Sequence, residues 1–233
     1  MKYAQVKKGI FKARPNRFVA KVEIDGKEHT VHVKNTGRCR ELLIPGAVVI
    51  LEYHPRALER GRKTEYSLVA VYKGKLLINM DSQAPNQAAL EWLTDGGFEK
   101  ALGIRPEQVR REVTYGQSRF DLAFTLRGKP AFMEIKGVTL EENGIAMFPD
   151  APTQRGVKHL EELSKAVEDG FAAYVLFVIQ MKGITCFCPN HKMHREFAQA
   201  LARARKAGVT VMAYDCLVKE DGFLLDQSVR VEI

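Results

Sequence analysis

The sequence lacks long hydrophobic segments and contains few cysteines, and both absences exclude classes of protein. Its longest apolar run, residues 171–179, is far too short to cross a membrane as a helix. The segment MKYAQVKKG at the N-terminus lacks the apolar stretch of a secretory signal peptide. Four cysteines in 233 residues do not suggest the disulfide framework of a secreted protein. We therefore expect a cytoplasmic protein that does not act at a membrane.

Positive charge is concentrated in the first third of the chain. Residues 1–82 contain 17 Lys and Arg against 8 Asp and Glu, whereas residues 83–233 contain 19 against 20. A basic block joined to a neutral one predicts a nucleic-acid-binding domain followed by a domain with another task, although a merely soluble basic surface is the alternative. The polar segment 81–86 interrupts the apolar pattern, so we place the domain boundary after residue 82.

The first predicted domain, residues 1–82, consists of short strands separated by turns. Asp25-Gly26 lies between two strand-like runs and is a strong hairpin signal. Five short strands in about eighty residues favour a small barrel such as the OB-fold, which often binds nucleic acids. The predicted strands are residues 18–24, 29–33, 47–53, 64–72 and 76–80.

The opening segment mixes basic and aromatic residues, which suits attraction to phosphates together with base stacking. Its two aromatic residues, Phe11 and Phe18, could also belong to the core. A polar turn after the second strand could donate hydrogen bonds to a phosphate or only close the chain. The residues predicted to contact nucleic acid in this domain are Lys7, Lys8, Lys12, Arg14, Arg17, Asn35, Thr36 and Arg38.

The second predicted domain, residues 83–233, has the mixed pattern of an α/β protein. Asn86 can cap its first helix, and Asp150 or Thr153 can cap its second. The final segment, residues 222–233, resembles one more strand. The predicted helices are residues 87–94, 154–168 and 195–207, and the other predicted strands are residues 111–114, 119–126, 131–136, 172–180, 184–188 and 209–214.

Three charged residues lie in two successive apolar runs of this domain, in the stretch RFDLAFTLRGKPAFMEIKG. Glu134 and Lys136 are two apart on a predicted strand and therefore share one face. A hairpin loop of Arg127 and Gly128 would place Asp121 opposite Glu134, whereas a loop shifted by one residue would place Asp121 opposite Lys136. In both registers the three polar groups lie on the same face.

The residues that flank these acids are apolar on both alternating faces, which predicts strands buried on both sides. Charges in such strands are costly unless they are paired or bound to a metal. Two adjacent carboxylates tolerate each other best with a divalent cation between them, and a neighbouring ammonium suits phosphodiester cleavage. The alternative is an ordinary solvated strand face, where acids and lysines two apart are common.

The helix predicted over residues 154–168 offers further polar groups. Gln154 and Lys158 are four apart and share a helical face, as do Arg155 and His159. We predict that Gln154, Arg155 and Lys158 contact nucleic acid near the metal. A solvated basic face is the alternative.

The segment CFCPNHKMH raises the question of a zinc site. Cys186, Cys188, His191 and His194 could surround a zinc ion, but their spacing matches none of the usual zinc templates. We favour a strand that ends at Pro189-Asn190 and carries both cysteines on one face.

The order of the candidate site residues resembles the PD-(D/E)xK nuclease superfamily over residues 86–180. In that superfamily an acid on a helix often joins the strand acids at the metal. The resemblance therefore implies that Glu91, on the first helix, acts together with Asp121, Glu134 and Lys136.

A closer resemblance covers nearly the whole chain. It is carried by the segments NTGR at 35–38, RFD at 119–121, EIKGVT at 134–139 and FPDAPTQRG at 148–156, the last of which is long and unusual, and residues 175–180 and 208–214 also fit. These segments resemble the sugar fermentation stimulation protein A family. This resemblance implies an OB-like N-terminal domain, a nuclease-like C-terminal domain, DNA binding and a link to the regulation of sugar (maltose) metabolism in bacteria.

These observations together predict an α/β (α+β) protein with an OB-like five-stranded barrel and a PD-(D/E)xK nuclease-like mixed sheet flanked by helices. Asp121 and Glu134 are expected to ligate Mg²⁺ (or Mn²⁺), Glu91 to ligate or position the ion, and Lys136 to orient the attacking water. The expected partner is DNA, double- or single-stranded. The alternatives are a non-catalytic DNA-binding regulator with a vestigial metal site and a metal-dependent enzyme acting on RNA or nucleotides.

Overall fold

The computed structural model describes residues 1–35 and 37–233, and the chain divides into two compact units. Besides its N-terminal part, the first unit includes two short segments from the C-terminal half, so no single boundary in the sequence separates the units. Among the described residues, no helix is both long and apolar enough to span a membrane. The first unit comprises Met1–Ala84, Gln180–Lys182 and Cys216–Leu224, and the second comprises Pro85–Ile179, Gly183–Asp215 and Leu225–Ile233.

The first unit is built on a barrel of five strands. The sheet has the order β3-β2-β1-β4-β5-β6, and a parallel pairing of β3 with β5 closes the first five strands into the barrel. The predicted OB-like architecture is therefore confirmed. The strands are β1 (Val6–Asn16), β2 (Val19–Ile24), β3 (Lys27–Val33), β4 (Val48–Tyr53), β5 (Tyr66–Lys73) and β6 (Leu76–Asn79).

The barrel does not contain the five strands that were predicted. Its first strand, β1, was not predicted, and β6 pairs with β5 outside the closed ring. The sequence of β1, VKKGIFKARPN, is largely basic, and only Gly9 and Phe11 are buried in it. Strand prediction relies on alternating apolar residues, and this strand has too few of them.

Gly9 lies where β1 passes very close to β2. A Cβ atom on this residue would lie 2.5 Å from Cγ1 of Val22 and 3.0 Å from the carbonyl oxygen of Glu23. We expect Gly9→Val to lower the free energy of unfolding by about 1–3 kcal/mol, because the side chain would overpack the barrel. The exposed control on the same strand, Ala13→Val, should change it by less than about 0.5 kcal/mol. Urea denaturation measures the free energy of unfolding of both variants, and equal decreases would contradict the expected clash.

Within the described residues, the remaining strands form two further sheets, which are accompanied by four helices. The larger sheet has the order β15-β14-β12-β9-β8-β7, and the smaller has the order β10-β11-β13-β16. Strands β7, β8 and β9 pair antiparallel, while β9, β12 and β14 pair in parallel. The elements are β7 (Glu107–Tyr115), β8 (Ser118–Leu126), β9 (Lys129–Val138), β10 (Leu140–Glu142), β11 (Ile145–Phe148), β12 (Ala172–Ile179), β13 (Cys186–Pro189), β14 (Thr210–Lys219), β15 (Gly222–Ser228), β16 (Arg230–Val231), α1 (Ala84–Thr94), α2 (Gly97–Leu102), α3 (Gln154–Glu168) and α4 (Arg195–Lys206).

The predicted mixed sheet with helices is confirmed, and the differences are local. Helix α3 has its predicted bounds, with Thr153 as its cap. Helix α1 begins earlier than predicted, at Ala84, because Pro85 is tolerated in a first helical turn. Asn86 therefore lies inside the helix and is not its cap. Helix α2 and strands β10 and β11 were not predicted, and the final segment forms two strands in different sheets instead of one.

Strands β8 and β9 form the hairpin that carries the predicted acids. Its loop residues, Arg127 and Gly128, have φ values of 49° and 80°, which suit the twist of a two-residue hairpin. The backbone pairs run from Leu126 with Lys129 to Leu122 with Met133. This is the first of the two predicted registers, and its continuation places Asp121 opposite Glu134.

Candidate functional site

Asp121 is half-buried on β8 and accepts hydrogen bonds from two directions. Nδ2 of Asn86 donates to its Oδ1 at 2.7 Å, and the backbone N–H of Ile135 donates to its Oδ2 at 2.7 Å. Burial raises the pKa of Asp121, and the negative charge of Glu134 raises it further. The two carboxylates therefore repel each other across the hairpin.

Glu134 is only 3% exposed on β9, and its two oxygens differ in their surroundings. Oε1 accepts hydrogen bonds from Nζ of Lys136, at 2.6 Å, and from Nδ1 of His159. Oε2 is buried and has no hydrogen-bond partner in the described part of the chain. Burial acts to raise the pKa of Glu134, but the bond from His159 and the Lys136 ammonium outweigh it and hold the pKa below its usual value.

His159 links Glu134 to the first turns of α3. It is buried on α3, and its ring meets that of Phe120 edge to face, with centroids 6.4 Å apart. Nε of Arg155 donates to Nε2 of His159 at 3.3 Å. Because Nε2 accepts this bond, the ring proton lies on Nδ1, from which it is donated to Glu134. The sequence predicted the pairing of Arg155 with His159, but not the contact with Glu134.

The third carboxylate of the predicted site, Glu91, lies on α1. It is half-buried, and Nε2 of Gln87 donates to its Oε1 at 3.0 Å. The residue of α1 that reaches Asp121 is Asn86, five residues earlier and hence about 140° away around the helix. Across residues 1–35 and 37–233, no group of three or more His, Cys, Asp or Glu side chains is placed to hold a metal ion.

The predicted polar residues of α3 point in different directions. Gln154 is exposed, and its Nε2 donates to Oε2 of Glu196 on α4 at 2.8 Å. Arg155 is exposed but contacts the buried His159, which places it next to the carboxylate site. Lys158 is exposed. The structure thus brings Arg155 close to the acids and turns Gln154 towards α4.

The predicted lysines of the barrel are exposed, but each forms an ion pair. Nζ of Lys7 lies 3.0 Å from Oδ2 of Asp25, and Nζ of Lys12 lies 2.7 Å from Oε2 of Glu23. Lys8 pairs in the same way at 2.8 Å with Glu220. Exposed pairs of this kind contribute little to stability.

Arg14 and Asn35 stabilise a turn of the first unit. The Arg14 guanidinium donates to backbone carbonyl oxygens, among them that of Asn35 at 2.6 Å. Asn35 in turn donates from Nδ2 to the carbonyl oxygen of Met80 at 2.9 Å. Arg17 and Arg38 are exposed near this turn, and the predicted Thr36 lies outside the described residues.

The residues considered for zinc lie on β13 and in the turn that follows it. Cys186 and Cys188 are two apart on this strand, which ends at Pro189 as predicted. Nδ1 of His194 accepts a hydrogen bond from the backbone N–H of Thr153 at 3.4 Å. His194 thereby joins the start of α4 to the start of α3.

The chain is similar over its whole length to proteins of one family. Residues 83–222 match the model described as the sugar fermentation stimulation protein RE domain, and residues 13–80 match the SfsA N-terminal OB domain. The sugar fermentation stimulation protein homolog of Desulfitobacterium hafniense (strain Y51) is 54% identical over 233 residues, covering 100% of this chain and 99% of the relative. The homolog of Ruminiclostridium cellulolyticum is 48% identical over 233 residues, covering 100% of both. The structure of Pyrococcus furiosus SfsA in complex with Ca²⁺ superposes with a TM-score of 0.88 at 28% identity, covering 100% of this chain and 98% of the other.

Proposed function

This chain belongs to the sugar fermentation stimulation protein A family, and we propose that it binds DNA and cleaves phosphodiester bonds with the help of Mg²⁺ (or Mn²⁺). The proposal gives Asp121 and Glu134 the role of metal ligands and Lys136 that of orienting water. The observation that carries it is Oε2 of Glu134, a buried carboxylate oxygen with no hydrogen-bond partner in the described part of the chain. A buried charged oxygen without a partner is costly, and a metal ion would supply the partner.

The residues present fit a divalent cation of the oxygen-binding type. Asp121 accepts one hydrogen bond at each oxygen, so each oxygen keeps a lone pair for a metal. The repulsion between Asp121 and Glu134 would be relieved by a cation between them. The Pyrococcus furiosus relative is in complex with Ca²⁺, which also takes oxygen ligands.

The side chains around the carboxylates have separate tasks in this proposal. A bound divalent ion would polarise a phosphoryl oxygen and lower the pKa of water. Lys136 places an ammonium on the same face, where it would stabilise negative charge on the phosphate. Asn86 and His159 hold the carboxylates by hydrogen bonds to Oδ1 of Asp121 and Oε1 of Glu134. Arg155 orients His159 and would also attract the DNA backbone.

DNA affinity is assigned mainly to the first unit, because the excess of positive charge lies in residues 1–82. Phosphate contacts made by lysines and arginines release counterions, so binding should weaken steeply as salt rises. Binding and cleavage are then separable. Substitutions in the barrel should change affinity and its salt dependence, whereas substitutions at Glu134 should change cleavage.

The direct test is cleavage by the purified chain. Plasmid, single-stranded and branched DNA would be incubated with the protein in Mg²⁺, in Mn²⁺ and in EDTA. The proposal predicts cleavage of at least one substrate that requires the metal and is lost in Glu134→Ala. Absence of any cleavage above the level of that variant would contradict it.

A non-catalytic DNA-binding regulator is the second candidate function. It is favoured by the lack of a third His, Cys, Asp or Glu ligand at the two carboxylates among the described residues. The names of the relatives also point to sugar fermentation and not to nuclease activity. A regulator should bind DNA equally well in EDTA and after Asp121→Ala, with no cleavage under any metal condition. Gel-shift and cleavage assays on the same samples therefore separate the two candidates.

Asp121→Asn should raise the free energy of unfolding of the metal-free protein, because it removes a charge that burial and Glu134 both disfavour. Folding raises the pKa of Asp121, so the folded state loses stability as the pH rises and this carboxyl ionises. Below the pKa of Asp121 in the unfolded chain, the carboxyl is protonated in both states and the loss disappears. Denaturation in EDTA should thus show a difference in the free energy of unfolding between variant and parent at about pH 7. This difference should disappear at about pH 3. The variant should also lose stabilisation by Mg²⁺. A less stable variant at neutral pH would contradict the repulsion argument.

A further inference from the structure

The hairpin between β1 and β2 presents an aromatic ring to solvent. Asn16 pairs with Val19, which leaves Arg17 and Phe18 as the two loop residues. Phe18 is 54% exposed, whereas Phe11 on β1 is buried in the barrel. The sequence left both phenylalanines as either core or binding residues, and the structure separates them. Core packing accounts for Phe11 and does not account for Phe18.

The backbone under this ring is held in place. Oδ1 of Asn16 accepts hydrogen bonds from the N–H groups of Phe18, at 2.9 Å, and of Val19, at 3.2 Å. The carbonyl oxygen of Phe18 accepts a bond from the N–H of Val33 at 2.8 Å. Because both backbone groups of Phe18 form hydrogen bonds, the backbone at this residue is already ordered. Binding of a partner to the ring would therefore cost little backbone conformational entropy.

Arg14 connects the hairpin loop to the segment that follows β3. Its guanidinium donates to four backbone carbonyl oxygens, those of Arg17 at 2.8 Å, Asn35 at 2.6 Å, Gly37 at 2.8 Å and Arg38 at 2.8 Å. The backbones of Arg17 and Arg38 therefore converge on one guanidinium. Arg14 acts here as a positioning residue, since both of its terminal nitrogens, Nη1 and Nη2, donate within the protein.

The two arginines that Arg14 brings together differ from the nearby lysines. Both Arg17 and Arg38 are exposed, and no carboxylate within the described residues pairs with either. Lys7, Lys8 and Lys12 each have an acidic partner. The loop surface, defined as Arg17, Phe18 and Arg38, thus combines two cations that lack an acidic partner with an exposed ring on a fixed backbone.

We infer that the loop surface binds an unpaired segment of a DNA strand, with one base stacked on Phe18 and the adjacent phosphates near Arg17 and Arg38. Every base offers a flat π face, and guanidinium groups attract the backbone, so this combination suits single strands of any sequence. In a duplex the faces of each base are covered by neighbouring bases, so a protruding ring has no free base face on which to stack. The inference rests on the proposed DNA binding and adds the form of the strand.

The test compares a labelled oligo-dT strand with a blunt-ended duplex of equal length, by fluorescence anisotropy with the full chain in EDTA. Phe18→Ala is expected to weaken single-strand binding about tenfold and to leave duplex binding unchanged. Phe18→Tyr should retain the parent affinity, because tyrosine also offers a ring. The control Leu58→Ala removes a side chain of the same unit that is equally exposed, at 56%, and should change neither affinity.

The same assay separates the contribution of the arginine charges from that of the Phe18 ring. Arg38→Ser should flatten the salt dependence of single-strand binding, whereas Phe18→Ala should leave its slope unchanged because the ring carries no charge. Equal losses for strand and duplex in Phe18→Ala, or no loss for either, would overturn the inference while leaving DNA binding itself intact. A chain that binds neither form would instead contradict the proposed function. If the parent chain formed a dimer that Phe18→Ala abolished, while single-strand binding stayed unchanged, the ring would contact a second copy of this chain. That result would overturn the inference.

Discussion

Glu134→Gln is expected to reduce metal-dependent DNA cleavage on the order of 10³-fold, the size of effect seen when one electrostatic group is removed from a catalytic site. The substitution keeps the length of the side chain and an acceptor for His159. It removes the negative charge and replaces one carboxylate oxygen with an amide nitrogen, which cannot ligate a cation. Cleavage rates over a range of Mn²⁺ concentrations measure the effect.

Two controls isolate the role of Glu134 in this experiment. Glu161→Gln makes the same chemical change at an exposed position of α3 and should leave the cleavage rate within a factor of two of the parent, about 0.4 kcal/mol. DNA binding in EDTA should be the same for the parent and for Glu134→Gln, because affinity is assigned to the basic barrel. Cleavage that survives in Glu134→Gln would remove Glu134 from the metal site.

His159→Ala is expected to raise the Mg²⁺ concentration needed for half-maximal cleavage about 10- to 100-fold. His159 donates to Oε1 of Glu134, which leaves Oε2 as the oxygen without a hydrogen-bond partner among the residues that the structure describes. Without the imidazole, the carboxylate can rotate and the cavity admits water. The change should therefore appear in the metal dependence, with a smaller effect on the rate at saturating metal.

A conservative variant distinguishes this positioning role from a loss of packing. His159→Asn can still donate from a nitrogen close to the position of Nδ1 and should restore most of the metal affinity. Ser164→Ala, on the same helix, should behave as the parent, since its hydroxyl only donates to the carbonyl oxygen of Leu160. If His159→Asn were as impaired as His159→Ala, with a matching loss of thermal stability, His159 would be a packing residue only.

The candidate site was predictable where local patterns determine the structure. Asp121, Glu134 and Lys136 could be placed on one face because strand side chains alternate and because Arg127-Gly128 suits a two-residue loop. The bounds of α3 agree with the prediction, and Thr153, one of its two candidate caps, is the N-cap. The basic strand β1 escaped prediction for the opposite reason, since its few apolar residues give no alternating signal.

The partners of the two acids were not predictable in the same way. The sequence suggested Glu91 as the residue of α1 that joins the acids at the metal, and it gave no sign that Asn86 of the same helix donates to Asp121. The contact between His159 and Glu134 joins residues 25 positions apart and depends on how α3 packs on the sheet. Successive helix residues are rotated by about 100°, so a small change in packing selects a different side chain.

The sequence alone determined that two strands carry two acids and a lysine on one face, and that the excess of positive charge lies in residues 1–82. These properties depend on the local composition of the chain and on the alternation of neighbouring side chains along a strand. Only the tertiary structure decided that Asn86 and His159 hold the acids and that Arg14 supports the loop surface. It also decided that, within residues 1–35 and 37–233, Oε2 of Glu134 has no hydrogen-bond partner. Those contacts join elements distant in sequence, and their geometry is set by packing between helices, strands and turns.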